Sequence, residues 1–516
     1  MTAPVPLLPP PAERLTRWGR LRDRMLLDPD WNRVIRWLSP LVITALAAVL
    51  RLANLAHPNV LAFDETYYVK DAWSLWTLGY EGTWGDGANE AFLTGDTTAL
   101  SGTGSFVVHP PLGKWIIALG MGVFGAGGSA AWRLAVALIG TATVLLVYFV
   151  AKELTRSVVA ASVAGLLLAI DGLSIVMSRI ALLDGILTFF ILLGFLFILY
   201  DRRRSIPLVE KADPDAADPL WGRVIWRRPW VIAAGVALGA ACAVKWSGLY
   251  ALAGLGLYLV ITDALARRRA GVLFWPTDAA FRQGAVSFVL LVPAALLTYL
   301  VSWTGWLVTA GGYDRQVAGN PLAALWKYHE SIYGFHVGLS SGHPYASPAW
   351  QWPFLIRPTA VWVGDDQSCG TDHCISVVSS VPNPLIWYAG VAAAIFLLYR
   401  FVRGLIQRRP MPWTYAIPLV GLGVTYVPWL LYPERTIFQF YTVVMMPFLV
   451  LALVLALREI AGRRDEPLHR RQAGERTVIV FLVVTVLVSA FFYPVWVGMN
   501  VPYEFWLIHN WMPTWV

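Results

Sequence analysis

An acid pair is the first candidate for chemistry in this sequence. Asp64 and Glu65 begin a segment in which Tyr68, Ala72 and Trp76 recur at helical spacing, so an amphipathic helix is predicted there. A carboxylate can take the proton of an attacking hydroxyl group. Acids are also favoured at a helix N-terminus by the helix dipole, so simple capping is the alternative interpretation.

A histidine and two prolines form the second motif. His109 is followed by Pro110 and Pro111, and then by Leu112, Gly113 and Lys114. The prolines fix an extended approach to the apolar helix that is predicted next. His109 either caps that helix or helps to position an acceptor, since imidazole titrates near neutral pH.

Four cations lie beside apolar segments, namely Arg133, Arg179, Lys245 and Arg435. Ionisable groups at such depth are costly and normally have a partner or a function. Together they would suit the phosphate of a lipid, which arginine can bind through two parallel hydrogen bonds. Alternatively, some pair internally, for example Arg179 with Asp184.

Cysteine pairing is predicted in the sequence Cys-Gly-Thr-Asp-His-Cys, from Cys369 to Cys374. An oxidising compartment would permit a disulfide between the two. Free thiols are the alternative, and a metal site with Asp372 and His373 matches no standard zinc spacing.

Nucleotide-binding and protease motifs are absent from the sequence. It contains no Gly-rich phosphate loop, no HExxH pair and no Gly-x-Ser-x-Gly elbow. A cytosolic nucleotide-sugar or ATP site is therefore disfavoured, and a membrane lipid is the expected donor.

The elements that must position these residues are membrane-spanning helices. Of 516 residues, 57% are hydrophobic and only 14% are charged, and mean hydropathy is +0.58. Soluble chains are nearer half apolar and a quarter charged. An all-α polytopic membrane protein is predicted. The net charge of +8 resides mainly in short loops between apolar blocks, which favours a role in membrane orientation over nucleic-acid binding.

About eleven spans are predicted, with amphipathic helices in the first outer loop. The block 113–125 is short for a span, so it is expected along the membrane surface. The predicted spans are 34–55, 131–151, 157–171, 185–200, 230–246, 248–263, 284–302, 384–402, 411–431, 436–457 and 477–497.

The positive clusters predict the orientation in a cell membrane. The basic tail 1–33 is expected in the cytoplasm, and it lacks the pattern of a cleaved signal peptide. A catalytic half, 34–302, would include the outer loop 56–130. A second outer loop, 303–383, would precede the C-terminal half, 384–516. The active site and the C-terminus are expected outside.

These motifs, taken in order, resemble the protein O-mannosyltransferase family of the GT-C class. Eukaryotic members carry a β-trefoil repeat domain in the second outer loop, and 303–383 is too short for it, which resembles the compact bacterial branch. The matching segments are Phe63–Glu65, His109–Lys114, Arg133, Ser178–Asp184, Val244–Gly248, His343–Tyr345, Trp350–Pro353 and Pro433–Thr436.

The resemblance implies a GT-C fold and transfer of mannose, with inversion, from polyprenyl-phosphate mannose to Ser or Thr hydroxyls. The acceptors would be secreted polypeptides, including chains that are still translocating. Asp64 would be the base and Glu65 would position the acceptor. No cofactor is required by the resemblance, and a divalent metal stays open. The implied phosphate ligands are Arg133, Arg179, Lys245 and Arg435, with His109 and Asp184 as acceptor or supporting residues.

Two other functions stay open at this point. A sibling GT-C enzyme would transfer another sugar, such as aminoarabinose, from polyprenyl phosphate to a lipid. A transporter would place its charges at mid-membrane, often in paired halves. Here the charges gather at one predicted face, which favours the enzyme.

Overall fold

The computed structural model describes residues 29–210, 220–364, 368–409, 412–463 and 465–516. Residues 1–28 of the predicted basic tail lie outside the described residues.

Helices dominate the first half of the chain. They are α1 (Pro29–Leu52), α2 (Glu65–Leu78), α3 (Ala88–Leu93), α4 (Leu112–Phe124), α5 (Ser129–Thr155), α6 (Val158–Ala169), α7 (Gly172–Arg179), α8 (Leu183–Glu210), α9 (Pro229–Val244), α10 (Gly248–Arg269), α11 (Trp275–Thr277) and α12 (Gly284–Ser302), with a π-helical segment at Asp278–Gln283. Strands β1 (Gly82–Trp84) and β2 (Leu100–Gly104) pair antiparallel within the first outer loop.

The second half adds α13 (Thr304–Val308), α14 (Pro321–Gly338), α15 (Pro384–Ile406), α16 (Ala416–Tyr426), α17 (Met446–Ala461), α18 (Leu468–Val497) and α19 (Tyr503–Leu507). Short 3-10 segments lie at Ala349–Phe354, Trp413–Tyr415, Val427–Leu431, Gln439–Val444 and Pro513–Trp515. Strands β3 (Ala360–Gly364), β4 (Cys374–Ser379) and β5 (Asn500–Pro502) form an antiparallel sheet in that order.

A multi-pass membrane architecture is confirmed by helix length and composition. Eight helical stretches among the described residues are long and apolar enough to cross a membrane, and the bent pair α6–α7 makes a ninth if counted as one span. Each of the eleven predicted spans overlaps a helix. However, α9 and α17 have 16 residues each, short of the roughly 20 that a span needs. The count of eleven stays a prediction.

The helices differ in how much apolar surface they bury. Most of the apolar stretch of α5 and of α8 is buried, whereas α1 and α18 are largely exposed. An exposed apolar helix face suits contact with lipid tails, because lipid is as apolar as the side chains themselves. The core that carries the site is therefore built around α5 and α8.

A bend of 60° separates α6 from α7. Asp171 stands at the bend, where its side chain accepts a hydrogen bond from the Ser174 N–H at 2.9 Å and another from the Asn383 N–H at 3.0 Å. All eight residues of α7 are buried. The bend thereby brings Arg179 and the following residues against the first outer loop.

Helix α4 has 13 residues and packs against α2 and α5. Its length is short of a full crossing, as expected for the block 113–125. Because α2 and α4 are packed together, the acid pair at the start of α2 and the histidine before α4 share one region.

Candidate active site

A strained turn presents the acid pair. Phe63 has a φ of +51°, a conformation that a non-glycine residue rarely adopts. Its ring packs edge-on against Phe438, Phe440 and His343, with centroids 5.4 to 5.9 Å apart. These contacts hold the turn in place and set the point from which the Asp64 side chain leaves the backbone.

Asp64 does not serve as a helix cap. It occupies the N-cap position of α2, but its carboxylate makes no capping hydrogen bond. The Tyr68 hydroxyl, one helical turn later, favours the charged form of this carboxylate. Burial raises the pKa of Asp64 to about 6; Lys245 opposes this shift, and the nearby Asp184 reinforces it. A base with a pKa near neutrality is well matched to proton transfer.

Glu65, in contrast, is fully engaged inside the protein. Its side chain is 0% exposed. Oε1 accepts hydrogen bonds from Arg133 Nε and the Ala181 N–H, both at 2.8 Å. Oε2 accepts from Arg133 Nη2 at 2.7 Å and from the Ala62 N–H at 2.8 Å. Glu65 therefore joins the start of α2 to α5 and to the segment after α7.

Arg133 uses all five of its N–H groups within the protein. Besides its two bonds to Glu65, it donates to the carbonyl oxygens of Leu55, Pro58 and Val60 at 2.8 to 3.4 Å. It is 1% exposed. No N–H of Arg133 is left for a substrate in this arrangement.

Arg179 has a similar role at the end of α1. Nη1 donates to the carbonyl oxygens of Arg51 and Ala53 at 3.1 and 2.7 Å, and Nη2 donates to that of Asn54 at 2.9 Å. The last carbonyls of a helix lack intrahelical partners and carry partial negative charge. Arg179 satisfies that of Arg51, and its other two bonds go to Ala53 and Asn54, the residues that follow α1.

Lys245 and Asp184 form a buried ion pair. Lys245 Nζ lies 2.9 Å from Asp184 Oδ1 and 2.8 Å from Oδ2. The ammonium also lies 4.6 Å from the centroid of the Tyr441 ring. The predicted alternative partner of Asp184 was Arg179, and the structure joins Asp184 to Lys245 instead. Because Lys245 occupies the turn between α9 and α10, the pair fixes that turn against the start of α8.

Two histidines lie between Tyr68 and Arg435. The His109 ring lies 6.0 Å from the Tyr68 ring and 5.4 Å from the His336 ring. Arg435 donates from Nη2 to His336 Nδ1 at 3.1 Å and from Nε to the His336 carbonyl oxygen at 3.3 Å. Burial, with Lys245 and other cations nearby, holds the pKa of His109 well below its usual value.

A cavity of about 860 Å³ opens beside these cations. Its polar end is lined by His109, Lys245, His336 and Arg435. Apolar walls come from α9, α10 and α12, through Cys242, Leu249, Leu252, Val292, Ala295 and Leu296. Helix α14 adds Trp326, Tyr333 and Val337, together with the carboxylate of Glu330. A cavity with a cationic end and long apolar walls can accommodate a lipid that carries a phosphate.

The structure thus divides the predicted site residues into two groups. Asp64, His109, Asp184, Lys245 and Arg435 come together at the cationic end of the cavity and just beyond it. The second group comprises Glu65, Arg133 and Arg179, which hold the first outer loop. Within the described part of the chain, no group of three His, Cys, Asp or Glu residues could hold a metal ion.

Cys369 and Cys374 lie away from this site and form a disulfide with an S–S distance of 1.96 Å. They stand just before and at the start of β4, which pairs with β5. His373 stacks on Tyr503 at 4.4 Å, so this loop is packed against the segment after α18.

Sequence reasoning missed three residues at the site. Tyr68 favours the charged form of Asp64, Tyr441 covers Lys245, and His336 contacts Arg435. The spacing of Tyr68 from Asp64 is that of helix neighbours, which was a usable signal. Tyr441 and His336 reach the site only through tertiary packing.

Comparison with known proteins decides the family. One family model, described as dolichyl-phosphate-mannose-protein mannosyltransferase, matches residues 129–309. Another, described as the C-terminal four TMM region of protein-O-mannosyltransferase, matches residues 321–515. The polyprenol-phosphate-mannose–protein mannosyltransferase of Mycolicibacterium smegmatis is 32% identical over 100% of this chain and 97% of its own length. This chain belongs to the protein mannosyltransferase family.

Other relatives agree with that assignment and with the fold. The Mycobacterium tuberculosis protein of the same name is 32% identical over 94% of this chain and 92% of its own. The solved structure of the S. cerevisiae protein O-mannosyltransferase Pmt1-Pmt2 complex bound to the sugar donor has a TM-score of 0.73 at 16% identity, covering 93% of this chain and 92% of that chain. The GT-C fold that was predicted for this glycosyltransferase is confirmed.

Proposed function

We propose that this mannosyltransferase transfers mannose from polyprenyl-phosphate mannose to Ser or Thr hydroxyls of polypeptides. The names of its full-length relatives support the donor and the protein acceptor. The geometry supports the same chemistry, because a carboxylate stands beside a cavity with a cationic end and apolar walls.

The contrast between two adjacent acids carries the proposal. Glu65 has no vacant acceptor position, because all four are filled by N–H groups of the protein, whereas Asp64 is partly exposed and makes no capping bond. Asp64 is therefore the member of the pair that can take up a proton. Its position near Lys245 places it close to the end of the cavity where the phosphate would lie.

The proposed reaction is a single displacement. The Ser or Thr hydroxyl oxygen attacks the anomeric carbon of mannose, and its proton passes to the Asp64 carboxylate. The bond between the anomeric carbon and the phosphate oxygen breaks, and its electron pair leaves with the phosphate. Attack opposite the leaving group inverts the anomeric configuration. Polyprenyl phosphate is released as a stable anion, so a general acid is not needed.

Lys245 and Arg435 are the proposed phosphate ligands. Both line the polar end of the cavity. Fixed cations at the point where negative charge develops stabilise the transition state. Asp184 holds Lys245 in position, and His109 lies between Tyr68 and His336 as a neutral part of the wall.

Glu65, Arg133 and Arg179 are assigned a supporting role in this proposal. Their hydrogen bonds connect α1, α2, α5 and α7 around the turn that presents Asp64. They would hold the base in place without contacting either substrate.

The proposed orientation puts this site outside the membrane, with the N-terminus in the cytoplasm and the C-terminus outside. The basic residues near the opposite ends of the helices support it, for example Arg267 and Arg403 in the last turns of α10 and α15. Secreted polypeptides, including chains emerging during translocation, are then the accessible acceptors.

One assay tests the proposal directly. Purified protein in detergent or vesicles receives mannose-labelled polyprenyl phosphate and a Ser/Thr-rich peptide. Mannosylated peptide that disappears with the Asp64→Asn variant supports the proposal. A labelled lipid product formed in place of the peptide product would favour the sibling enzyme that modifies lipids, whereas donor movement across vesicles without transfer would favour a transporter.

A further inference from the structure

His336 lies where three separate segments meet at the polar end of the cavity. It occupies the last turn of α14, and its ring lies 5.4 Å from the His109 ring and 5.8 Å from the Trp246 ring. None of the sequence motifs included it. It is half-buried, and it lines the cavity together with Arg435.

The partners of the His336 ring determine its protonation. Nε2 lies 2.8 Å from the Val108 carbonyl oxygen, which can only accept, so Nε2 carries a hydrogen. Nδ1 lies 3.1 Å from Arg435 Nη2, which can only donate, so Nδ1 carries none. The ring is therefore neutral with a defined tautomer. Burial and the charge of Arg435 agree with this, since they lower the pKa of His336 to about 4.

The same contacts orient the guanidinium of Arg435 and leave most of its N–H groups without a partner in the described part of the protein. His336 accepts two of its hydrogen bonds, one through Nδ1 and one through the carbonyl oxygen. Trp429 stacks beside the group, 5.5 Å from its ring centroid. Within the described residues, the other three N–H groups of Arg435 have no hydrogen-bond partner. Arg133, which bonds through all five, shows the opposite arrangement.

We propose that His336 is a positioning residue that aims Arg435 at the donor phosphate, while its bond to Val108 ties both to the segment that carries His109. The inference rests on the proposed function, because the orientation of Arg435 affects donor binding only if Arg435 contacts the donor phosphate. A neutral acceptor nitrogen is required on the Arg435 side and a donor on the Val108 side, which a histidine with this tautomer supplies.

Two substitutions separate the two sides of the ring. His336→Asn keeps an acceptor near the place of Nδ1, and His336→Gln keeps a donor near the place of Nε2. We expect the Gln variant to raise the KM for polyprenyl-phosphate mannose by about tenfold, the scale of a lost hydrogen bond to a charged group. The Asn variant should recover most of that loss, and the peptide KM should change little in both. His373→Asn is the control, because His373 lies in the loop just before β4 and does not line the cavity.

Binding of polyprenyl phosphate without mannose provides a second measurement that needs no turnover. If this lipid binds the Asn variant better than the Gln variant while wild type transfers no mannose, the inference holds and the proposed function fails. If transfer occurs but both variants keep the wild-type donor KM, the inference is overturned.

A double-mutant cycle covers the case in which the Gln variant does not fold. His336→Ala is compared in the wild-type and Arg435→Ala backgrounds. The loss of polyprenyl phosphate affinity should be present in the first background and absent in the second. Equal losses in both backgrounds would overturn the inference, because they would show that His336 acts independently of Arg435.

Discussion

Asp64 and Glu65 are adjacent acids with contrasting surroundings. Glu65 is enclosed by Arg133 and two backbone N–H groups, while Asp64 keeps a carboxylate near the cavity. A carboxylate that is buried and paired contributes to structure. A partly desolvated carboxylate whose pKa lies near neutral pH is suited to proton transfer. The difference can be tested one residue at a time.

Asp64→Asn should reduce kcat by at least about 100-fold, because a positioned base is typically worth that much. Thermal stability and donor binding should remain near wild type, since the Asp64 side chain makes no capping bond that the change removes. Label transfer to a Ser/Thr-rich peptide measures the loss, and Asp86→Asn, an exposed acid in the same loop, is the matched control. A folded Asp64→Asn enzyme within about tenfold of wild type would exclude Asp64 as the base.

The pH profile should report the same carboxylate. The base acts in its deprotonated form, and burial raises the pKa of Asp64 to about 6. The kcat/KM should therefore rise with pH, reach half of its maximum near pH 6, and level off about one pH unit or more above that. Initial rates in a series of buffers at constant ionic strength measure the profile. A profile that is flat across that region would show that a different group accepts the proton.

Lys245→Ala and Arg435→Ala should each raise the KM for the donor by about tenfold or more, with a smaller effect on the peptide KM. Lys245→Arg should recover only part of the lost donor affinity, because a planar guanidinium does not replace the compact ammonium group of lysine. Removing Lys245 alone leaves Asp184 buried without its partner, so a Lys245→Ala/Asp184→Ala double variant separates binding from stability.

Lys327→Ala is the matched control for these cations, since Lys327 is exposed on α14 and does not line the cavity. Wild-type donor kinetics in both alanine variants would make Lys245 and Arg435 structural residues.

Among the elements, the start of α2 is held by Glu65, which pairs with Arg133 of α5 and accepts a hydrogen bond from the Ala181 N–H after α7. The first outer loop contains little regular structure beyond its short helices and the β1–β2 pair. Its shape therefore depends on these long-range contacts more than on local propensity.

Glu65→Gln should lower the thermal midpoint strongly, because it leaves the Arg133 charge buried without its counter-ion, a change that typically costs about 3–5 kcal/mol. Its activity loss should follow the unfolded fraction, as measured by differential scanning fluorimetry beside the transfer assay. A Glu65→Gln/Arg133→Gln double variant should recover part of the stability. A stable Glu65→Gln protein that is as inactive as Asp64→Asn would instead indicate direct contact with the acceptor.

Local pattern was sufficient to predict the elements that carry the acids. Apolar spacing predicted α2, the prolines predicted the start of α4, and the short block 113–125 was kept apart from the spans. The partners of the charges were not predictable in the same way. A cation at the end of a helix suits a phosphate and a row of carbonyl groups equally well, so Arg133 and Arg179 could not be distinguished from Lys245 and Arg435 by sequence position.

Strand β5 shows a similar limit. Residues 500–502 pair with residues 374–376, more than 120 positions earlier, and neither segment alone has a strong strand pattern. Their pairing is decided when the second outer loop and the segment after α18 pack together, which single-sequence periodicity does not report.

At the scale of the whole molecule, the site collects residues from both halves of the chain. Asp64, His109, Asp184 and Lys245 come from the first half, and His336 and Arg435 come from the second. All of them stand outside helices or near a helix end, so they gather at one end of the bundle. A single aqueous face would then serve both substrates, with the donor tail lying between helices.

Cysteine labelling tests which side of the membrane this face occupies. Cysteines introduced at Glu90 and Ser340 should react with an impermeant maleimide on intact cells, and those at Gln407 and His469 should react only after permeabilisation. All four positions are exposed. The background replaces the free thiol Cys242 with serine. Labelling of Gln407→Cys from outside would reverse the proposed orientation.

The contacts of Arg133 and Arg179 also bear on the order of events during synthesis. Arg133 follows the Leu55 carbonyl that it binds by 78 residues, and Arg179 follows that of Arg51 by 128. When α1 leaves the ribosome, the carbonyl groups at its C-terminal end therefore still lack these two partners. The loop with Asp64 reaches its final shape only after α7 has been inserted. A nascent chain stopped before that point would lack the contacts that fix the position of Asp64.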